Sequence, residues 1–345
     1  MSKKLLVTGG AGFIGSNFIL YWLEKHPQDI IVNIDLLTYA GNLANLEKAN
    51  NNSHYSFVQG DINDQDLIIE LIKKNQIDTI IHFAAESHVD RSILEPDAFI
   101  RTNINGTFSL LQAALTTKIK HFHHISTDEV FGSLPLHSQE KFTLQTCYDP
   151  RSPYSASKAS SDHLVRAYGE TYNLPYTISN CSNNYGPYQF PEKLFGLAIT
   201  NLLENKKVPI YGAGENVRDW LYVEDHCRAI EAILNNGPTK ETFLIGGLTE
   251  DISNLSIVRQ IITLMGKNPD DEIEFVKDRP GHDLRYAIDW SETKSKLNWQ
   301  PQMTLQTGLE QTISFYRNNP SWWQPLKQGS TQFFNKNYHS LNEKK

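Results

Sequence analysis

The chain has 345 residues, of which 21% are charged, and its formal net charge of −7 gives no support for nucleic-acid binding. Its cysteines, at positions 147, 181 and 227, form neither a metal-binding spacing nor a disulfide framework, and no apolar run is long enough to span a bilayer. A strand pattern begins within four residues of the N-terminus and leaves no room for a signal peptide, so we expect a cytoplasmic protein that binds neither nucleic acid nor membrane.

Strands and helices alternate through the first 180 residues. The patterns predict strands at 5–8, 30–35, 77–83, 121–126 and 176–180, and helices at 16–25, 66–74, 105–116 and 155–172. The strand at 77–83 is apolar nearly throughout, as are parallel strands that are buried on both faces. This order predicts an α/β fold built on a Rossmann-type, doubly wound parallel sheet.

The rhythm changes after residue 180, where glycine and proline breaks separate shorter elements. The patterns there predict helices at 194–205, 224–235, 255–265 and 305–318, and one more strand of the main sheet at 241–246. We therefore expect a main domain of residues 1–185, rejoined by 222–249, and a smaller, discontinuous C-terminal substrate domain of 186–221 and 250–330. Residues 331–345 are polar and are predicted to form a loose tail.

A glycine-rich turn lies between the first predicted strand and the first predicted helix. Gly9, Gly12 and Gly15 allow a tight turn, a close approach of backbone amides to a diphosphate, and close packing of helix on strand. Asp35 ends the next strand, 20 residues past Gly15, where a carboxylate accepts hydrogen bonds from a ribose 2′-hydroxyl and repels a 2′-phosphate. The pattern predicts a domain that binds NAD rather than NADP, although Asp35 alone could also be a helix cap or a solvated turn residue.

Acid–base chemistry is indicated by two short segments. Tyr154 and Lys158 lie one turn apart on one face of a predicted helix, and a cation beside a phenol lowers the pKa of the phenol. The pair therefore predicts a general base that acts near neutral pH. Thr127 ends a strand where ligands bind in such sheets, and Asp128 and Glu129 follow it as a candidate acid and second base. A solvated loop pair or a helix N-cap is the alternative for the two carboxylates.

Nine stretches of the sequence, spread over nearly the whole chain, match the pattern of one known protein family. They are residues 8–16, 37–43, 84–92, 126–130, 152–159, 180–187, 190–194, 217–225 and 279–283. In these stretches the chain resembles the extended short-chain dehydrogenase/reductase family and, more narrowly, its dTDP-glucose 4,6-dehydratases. The resemblance implies a homodimer that holds NAD tightly and binds a nucleotide-diphosphate sugar, dTDP-glucose.

The resemblance also implies the reaction. Tyr154 would take the proton of the sugar 4-hydroxyl while hydride leaves C4, and the resulting ketone acidifies the C5 proton. Glu129 would then take the C5 proton, and Asp128, kept protonated, would donate to the departing 6-hydroxyl. Hydride returns to C6, which gives dTDP-4-keto-6-deoxyglucose. Two neighbouring carboxyl groups in opposite protonation states are what this chemistry requires.

Binding roles follow from the positions that match. The residues implied to contact NAD are Gly9, Gly12, Phe13, Ile14, Gly15, Asp35, Leu36, Leu37, Thr38, Asp61, Ile62, Ala84, Ala85, Ser87, Thr102, Tyr154, Lys158 and Asn184. Those implied to hold the nucleotide sugar are Ser87, Thr127, Asn183, Lys193, Leu194, Pro209, Tyr211, Arg218, Asn254, Arg279, His282, Asp283 and Tyr338. The two arginines suit a diphosphate, or else form surface ion pairs with nearby aspartates.

The chain departs from the family pattern at three positions. Leu144 stands where a Glu is common, Phe131 where a Tyr is common, and Leu284 where an Arg is often seen. We expect the change at Leu144 to affect loop order more than chemistry.

Three histidines lie on one predicted strand. His121 and His123 share one strand face and His124 points the other way, so we expect no metal site.

A nucleotide-sugar 4-epimerase would use the Tyr–Lys pair but not the two carboxylates. A non-catalytic NAD-binding scaffold would not need the Tyr–Lys pair. For the homodimer, the helices at 105–116 and 155–172 could pair across a two-fold axis.

Overall fold

The alternating pattern folds into one parallel sheet. A computed structural model of the protein describes residues 2–248, 251–278 and 281–342, with side chains of the last helix described as far as residue 333. The strands are β1 (Lys4–Thr8), β2 (Ile30–Asp35), β3 (Tyr55–Gln59), β4 (Thr79–His82), β5 (His121–Thr127), β6 (Tyr176–Cys181), β7 (Asn183–Tyr185), β8 (Val208–Tyr211), β9 (Val217–Arg218), β10 (Trp220–Tyr222), β11 (Glu241–Ile245), β12 (Ile252–Ser253) and β13 (Ile273–Val276).

Helices cover both faces of this sheet and build most of the C-terminal part. They are α1 (Phe13–Lys25), α2 (Gln65–Asn75), α3 (Val89–Leu94), α4 (Pro96–Phe99), α5 (Thr107–Thr117), α6 (Pro153–Tyr172), α7 (Leu194–Leu203), α8 (Val223–Asn236), α9 (Asn254–Leu264), α10 (Pro269–Glu272), α11 (Ser291–Leu297), α12 (Leu305–Asn318) and α13 (Pro320–Asn342). A π-helical turn at Ile100–Gly106 leads into α5.

The main sheet has the order β11-β6-β5-β4-β1-β2-β3, and its paired strands run parallel. The order reverses between β1 and β4, which opens a crevice at the carboxyl ends of the strands, where open α/β sheets bind ligands. Apolar side chains of α2, α5 and α6 pack on one face, and those of α1 and α8 on the other. The predicted Rossmann-type α/β fold is confirmed.

A second apolar cluster lies outside the sheet. It joins β8, β10, α7, α9 and α12 around buried residues that include Phe195, Ile261 and Tyr316. Paired short strands, β7–β10, β9–β12 and β8–β13, connect these elements. Strand β11 pairs with β6 at the edge of the main sheet, so the chain passes back to the sheet between segments of the second cluster. The exact domain boundaries stay a prediction.

The last helix, α13, joins the two clusters. Trp323 is buried in the second cluster, and Lys327 on the next turn bonds the carboxylate of Glu204 at 3.0 Å. Trp322 donates its ring N–H to Asn45 Oδ1 at 2.7 Å, although the two residues are 277 positions apart. Asn45 Nδ2 in turn donates to the carbonyl of Ala11 in the glycine-rich turn, at 2.9 Å. The helix runs on through residues that were expected to form a loose tail.

Candidate active site

A cavity of about 700 Å³ opens at the carboxyl ends of the sheet strands, between the main sheet and the second cluster. Its walls come from both parts of the chain, from the glycine-rich turn of the sheet to β8 and β9 beyond it. Clefts between two packed units are the usual places for ligands that carry several chemical groups. The two ends of this cavity differ in their polar groups.

The glycine-rich end fits a dinucleotide. Helix α1 begins after Gly12 without any side-chain cap, so the backbone N–H groups of its first turn point at the cavity and remain available to a diphosphate. A Cβ on Gly12 would meet only Gly9 O, at 3.3 Å, so the surface there is open to a ligand. Asp35 accepts from Ala11 N at 2.9 Å and Leu37 N at 2.8 Å, which fixes its carboxylate at the cavity edge.

Gly9 is the tightest point of this turn. It has φ +69°, and an added Cβ would lie 2.5 Å from the backbone of Ala84. We expect Gly9→Ala to destabilise the fold by at least about 2 kcal/mol, from backbone strain and a clash with main chain. Bound NAD after purification should fall with it. Denaturant unfolding and cofactor content measure the two effects.

The control for Gly9→Ala is Gly329→Ala on α13, where nothing lies within 4 Å of the added Cβ. This change should leave cofactor content unchanged and stabilise the helix slightly. Equal losses in the two variants would contradict the role given to the turn.

The candidate acid–base group lies where β5 ends. Thr127 is 7% exposed and bonds to the hydroxyl of Tyr154, and its Oγ1 accepts the backbone N–H of Glu129 at 3.2 Å. Asp128 begins a 3₁₀ turn at Asp128–Phe131 and is fully buried, and its Oδ2 has no hydrogen-bond partner. Burial, and then the Glu129 carboxylate, raise the pKa of Asp128 well above its usual value. The geometry therefore provides one carboxyl group held protonated beside a second one.

Lys158 lies one turn below Tyr154 on α6 and is 4% exposed. Its ammonium group donates to Ile125 O at 2.7 Å and contacts His124 Nε2 at 3.3 Å. Burial lowers the pKa of Lys158 to about 8, so it is a cation at neutral pH.

The pKa of Tyr154 differs from the prediction. Burial, and then the negative charge of Glu129, raise the pKa of its hydroxyl well above 10, whereas a pKa lowered by Lys158 was expected. The spacing in the sequence predicted Lys158 as a neighbour of Tyr154 on the helix. It did not predict how deeply Tyr154 is buried or that the Glu129 carboxylate lies near its hydroxyl. A phenolate at neutral pH therefore needs more positive charge than Lys158 supplies here.

The other end of the cavity carries cations and amides. Arg218 is 5% exposed, lies 4.2 Å over the ring of Tyr286 and donates to the carbonyls of Val217 and Asp283 at 2.7 and 3.0 Å. Lys193 donates to Ser87 O at 2.9 Å. Oxygen atoms of Asn183 and Asn254 are buried without a hydrogen-bond partner. Both amides and both cations line the cavity and suit a polyhydroxylated, anionic ligand.

Most residues predicted for the site meet at this cavity. Its walls include Gly9, Gly12, Phe13, Ile14, Gly15, Asp35, Leu36, Thr38, Asp61, Ile62, Ala84, Ala85, Ser87, Thr102, Thr127, Glu129, Tyr154, Lys158, Asn183, Asn184, Lys193, Leu194, Pro209, Tyr211, Arg218, Asn254 and His282. Arg279 and the side chain of Tyr338 lie outside the described residues.

Three predicted residues stand behind the cavity wall. Leu37 packs against the apolar cluster under α1, so its side chain does not reach the wall. Asp283 does not line the cavity either, since its carboxylate accepts the Tyr286 hydroxyl at 2.6 Å. Asp128 is fully buried and does not line the cavity, whereas Glu129 does.

Sequence reasoning missed several residues that do line the cavity. Gln189 is 5% exposed with its Oε1 unpaired, Tyr286 covers Arg218, and Lys327 and Ser330 come from α13. None of them carries a signal in the sequence, because each reaches the cavity through tertiary packing rather than through a motif.

The three residues that depart from the family pattern do not line the cavity. Phe131 is buried and stacks on Phe142 at 5.2 Å, and Leu144 packs partly buried against the same cluster. Leu284 is 48% exposed, and its backbone N–H bonds Ser133 Oγ at 2.8 Å. Apolar side chains at 131 and 144 therefore extend a small core beneath the loop before α6.

The histidines of β5 are held by neighbouring hydroxyl groups. His121 and His123 both bond Thr177 Oγ1, at 2.7 and 2.8 Å, and His124 bonds Ser161 Oγ at 3.1 Å on the other face. Within the described ranges, no group of three or more His, Cys, Asp or Glu side chains is arranged to hold a metal ion. In the same part of the chain, no helix has the length and apolar character to cross a membrane.

Known proteins with similar sequences identify the family. The family model described as GDP-mannose 4,6 dehydratase matches residues 6–312. A dTDP-glucose 4,6-dehydratase of Escherichia coli is 50% identical over 354 residues, a match that covers 95% of this chain and 97% of that protein. The chain belongs to the dTDP-glucose 4,6-dehydratase family.

Solved structures of the dTDP-glucose 4,6-dehydratase family share this fold. One from Bacillus anthracis, in complex with NAD, is 45% identical with a TM-score of 0.87, covering 94% of this chain and 100% of that one. One from Streptomyces venezuelae, also with NAD bound, is 44% identical with a TM-score of 0.90, covering 94% and 99%. A UDP-glucose 4-epimerase of Thermotoga maritima is more distant, at 28% identity and a TM-score of 0.84 over 92% and 99%.

Proposed function

We propose that this chain converts dTDP-glucose into dTDP-4-keto-6-deoxyglucose with tightly bound NAD. The observation that carries the proposal is the carboxyl pair, Asp128 and Glu129, beside the Tyr154 hydroxyl. Its two members have different surroundings: Asp128 is fully buried, and Glu129 lines the cavity. An epimerase has no need of that pair, and the epimerase of Thermotoga maritima is less similar than the dehydratases.

The first half of the reaction is an oxidation at C4 of the sugar. When bound, NAD accepts hydride from C4, gives it back at C6 and adds a positive charge near Tyr154. Tyr154 takes the 4-hydroxyl proton, and Thr127 holds the hydroxyl of Tyr154 in place. Lys158 contributes a second positive charge from the turn below, because its ammonium form persists up to about pH 8. Positive charge near the phenol acts against the burial and the Glu129 charge that raise the pKa of Tyr154.

The second half removes water across C5 and C6. Glu129 takes the C5 proton, which the C4 ketone has acidified, and returns a proton to C5 at the end. Asp128 gives its proton to the departing 6-hydroxyl from its buried, unpaired Oδ2, and this step requires that Oδ2 becomes exposed to the cavity when the sugar binds. A general acid must be protonated before the step, which fits the raised pKa of Asp128.

Binding of the nucleotide sugar falls to the second end of the cavity. Arg218, with Lys193 beside it, supplies charge-assisted hydrogen bonds to the diphosphate. Asn183 and Asn254 offer the oxygen atoms that lack partners, to sugar and nucleotide groups respectively. Arg279 and His282 are proposed for the same end from the family pattern, and Asp283 holds the hydroxyl of Tyr286, which lines the cavity.

The test of the function uses dTDP-glucose that carries deuterium at C4. Purified protein should release a sugar nucleotide that has lost water, with the deuterium in a new methyl group at C6 by NMR. Product with an inverted C4 and no methyl group would make the chain an epimerase. No turnover with dTDP-, UDP-, CDP- or GDP-hexoses would leave it a scaffold.

We also propose that the protein is a homodimer and works in the cytoplasm. Ile100, Phe108 and Tyr172 are 46%, 46% and 55% exposed near or on α5 and α6, and they suit an isologous pairing of those helices. The cysteines, at 147, 181 and 227, are free thiols, as in a reducing compartment.

The dimer proposal predicts that Phe108→Asp separates the subunits. Each subunit of a two-fold symmetric dimer carries the substitution, so the interface contains it twice. The dissociation constant of the dimer should therefore rise by at least about a hundredfold. Sedimentation or size exclusion at micromolar protein measures this. The control is Phe275→Asp on β13, 59% exposed in the second part of the chain, which should leave the assembly as it is. If the Phe108→Asp protein is still a dimer at high dilution, the interface does not lie at α5 and α6.

A further inference from the structure

Behind the Tyr–Lys pair lies a buried polar cluster that the proposed reaction leaves without a role. Asp162 follows Lys158 by one turn of α6 and is fully buried. Its Oδ2 accepts from Ser126 Oγ at 2.8 Å, from the Tyr148 hydroxyl at 2.8 Å and from Asn180 Nδ2 at 3.2 Å. Three donors on one buried carboxylate oxygen are the surroundings of an ionised carboxylate.

His124 connects this carboxylate to Lys158. His124 Nε2 lies 3.3 Å from Asp162 Oδ1 and 3.3 Å from Lys158 Nζ. Burial raises the pKa of Asp162, but its contact with His124 and the charge of Lys158 outweigh burial and hold that pKa below its usual value. Burial lowers the pKa of Lys158, and Asp162 opposes that change. Each group thus favours the charged form of the other.

The histidines, the thiol and the phenol around the pair supply little charge of their own. Burial lowers the pKa of both His82 and His124, so both rings are neutral at pH 7. Burial raises the pKa of Cys181 to about 12, which keeps its thiol protonated. Tyr148 stands beside Asp162 as a neutral phenol, because burial raises its pKa, and Arg166 donates to it at 2.8 Å. Asp162 is therefore the negative charge nearest to the buried ammonium from this side.

We propose that Asp162 is a positioning residue for catalysis: it is the counter-ion that keeps Lys158 charged beneath Tyr154. A buried ammonium group without a partner is costly and loses its proton instead. Loss of that proton would remove a charge that Tyr154 needs as a base. The inference rests on the proposed function as far as turnover is concerned, but its second test needs no substrate.

The first test compares pH profiles of turnover for the parent protein, Asp162→Asn and Tyr148→Phe. Activity of the parent should decline above about pH 8, where Lys158 deprotonates. In Asp162→Asn this decline should begin at least about one pH unit lower, whereas the rise at low pH should stay in place, because Lys158 is still charged there. A shift of one unit costs about fivefold in rate at pH 8. Tyr148→Phe removes one donor and keeps the carboxylate, so both limbs should stay in place.

A purely structural role gives a different result. Asp162→Asn would then lower the rate at every pH and leave both limbs where the parent has them, which would overturn the proposal. If the parent itself does not dehydrate dTDP-glucose, the proposed function fails, and the second test alone decides the role of Asp162.

The second test measures the free energy of unfolding against pH in holoenzyme. In the parent the folded-state pKa of Lys158, about 8, already lies below its unfolded value of about 10.4, so stability should rise with pH between the two. Without Asp162 that rise should begin at least about one pH unit lower and be larger. Adding Lys158→Met removes the uncompensated charge and should abolish that dependence. If Asp162→Asn does not fold at neutral pH, the double variant should fold. A double variant that is as unstable as Asp162→Asn, with the same pH dependence, would overturn the proposal.

Discussion

Tyr154→Phe is expected to abolish turnover while leaving the fold and the bound cofactor intact. The Tyr154 hydroxyl is the group that takes the 4-hydroxyl proton in the proposed reaction, and removing a general base costs about 10²–10⁴ in rate. The ring itself remains, so its edge-on contact with Phe99 at 6.2 Å is kept. The measurement is kcat with dTDP-glucose, alongside cofactor content and the unfolding midpoint.

Tyr172→Phe is the matched control for Tyr154→Phe. Tyr172 ends the same helix, α6, and is 55% exposed, so loss of its hydroxyl should not change the rate. A Tyr154→Phe protein with activity within about threefold of the parent would end the role of Tyr154 as base, since one general base contributes far more.

Asp128→Asn is expected to stop the reaction after the oxidation at C4. Asparagine fills the same buried space but has no proton to give to a departing hydroxyl, so water loss should slow by about 10²–10⁴. Mass analysis of a quenched reaction should find sugar nucleotide that has lost two hydrogens and kept its water. Substrate returned unchanged would show that Asp128 serves the first step instead.

Asp149→Asn is the control for Asp128→Asn. The Asp149 side chain is 66% exposed and pairs with Arg151 at 3.0 Å outside the cavity, so its charge should not affect either half of the reaction. Glu129→Gln supplies the comparison within the site, because it removes the second base and should also stall before water is lost.

Much of the fold follows from the spacing of apolar residues. The strand predicted at 30–35 and the helix predicted at 305–318 agree with β2 and α12 residue for residue, since each is an unbroken pattern between turn signals. The π-helical turn at Ile100–Gly106 has no such signal. This turn positions Asn103, whose side-chain oxygen accepts the backbone N–H of Glu86 and whose side-chain N–H groups donate to the Glu86 carbonyl and to Ser157 Oγ. These contacts exist only in the folded chain.

The candidate site was predictable to the extent that sheet topology gathers residues at one edge. Thr127 and Asp35 end parallel strands, so they and the residues next to them lie at the same edge of the sheet. The predicted topology alone is enough to expect this. Depth was not predictable: the pKa of Tyr154 depends on burial, and burial depends on how the second cluster closes over the sheet. The part played by α13 was missed because Trp322 and Ser330 act on partners far away in the chain.

The bond from Trp322 to Asn45 has a consequence for synthesis on the ribosome. The glycine-rich turn leaves the exit tunnel among the first segments, but Asn45, which bonds Ala11 in that turn, acquires its own anchor only when the final helix has emerged. A nascent chain can therefore pair the strands of its main sheet while the glycine-rich turn still lacks the support that α13 gives through Asn45. Premature termination within the last 30 or so codons would yield a domain that folds but captures its coenzyme poorly.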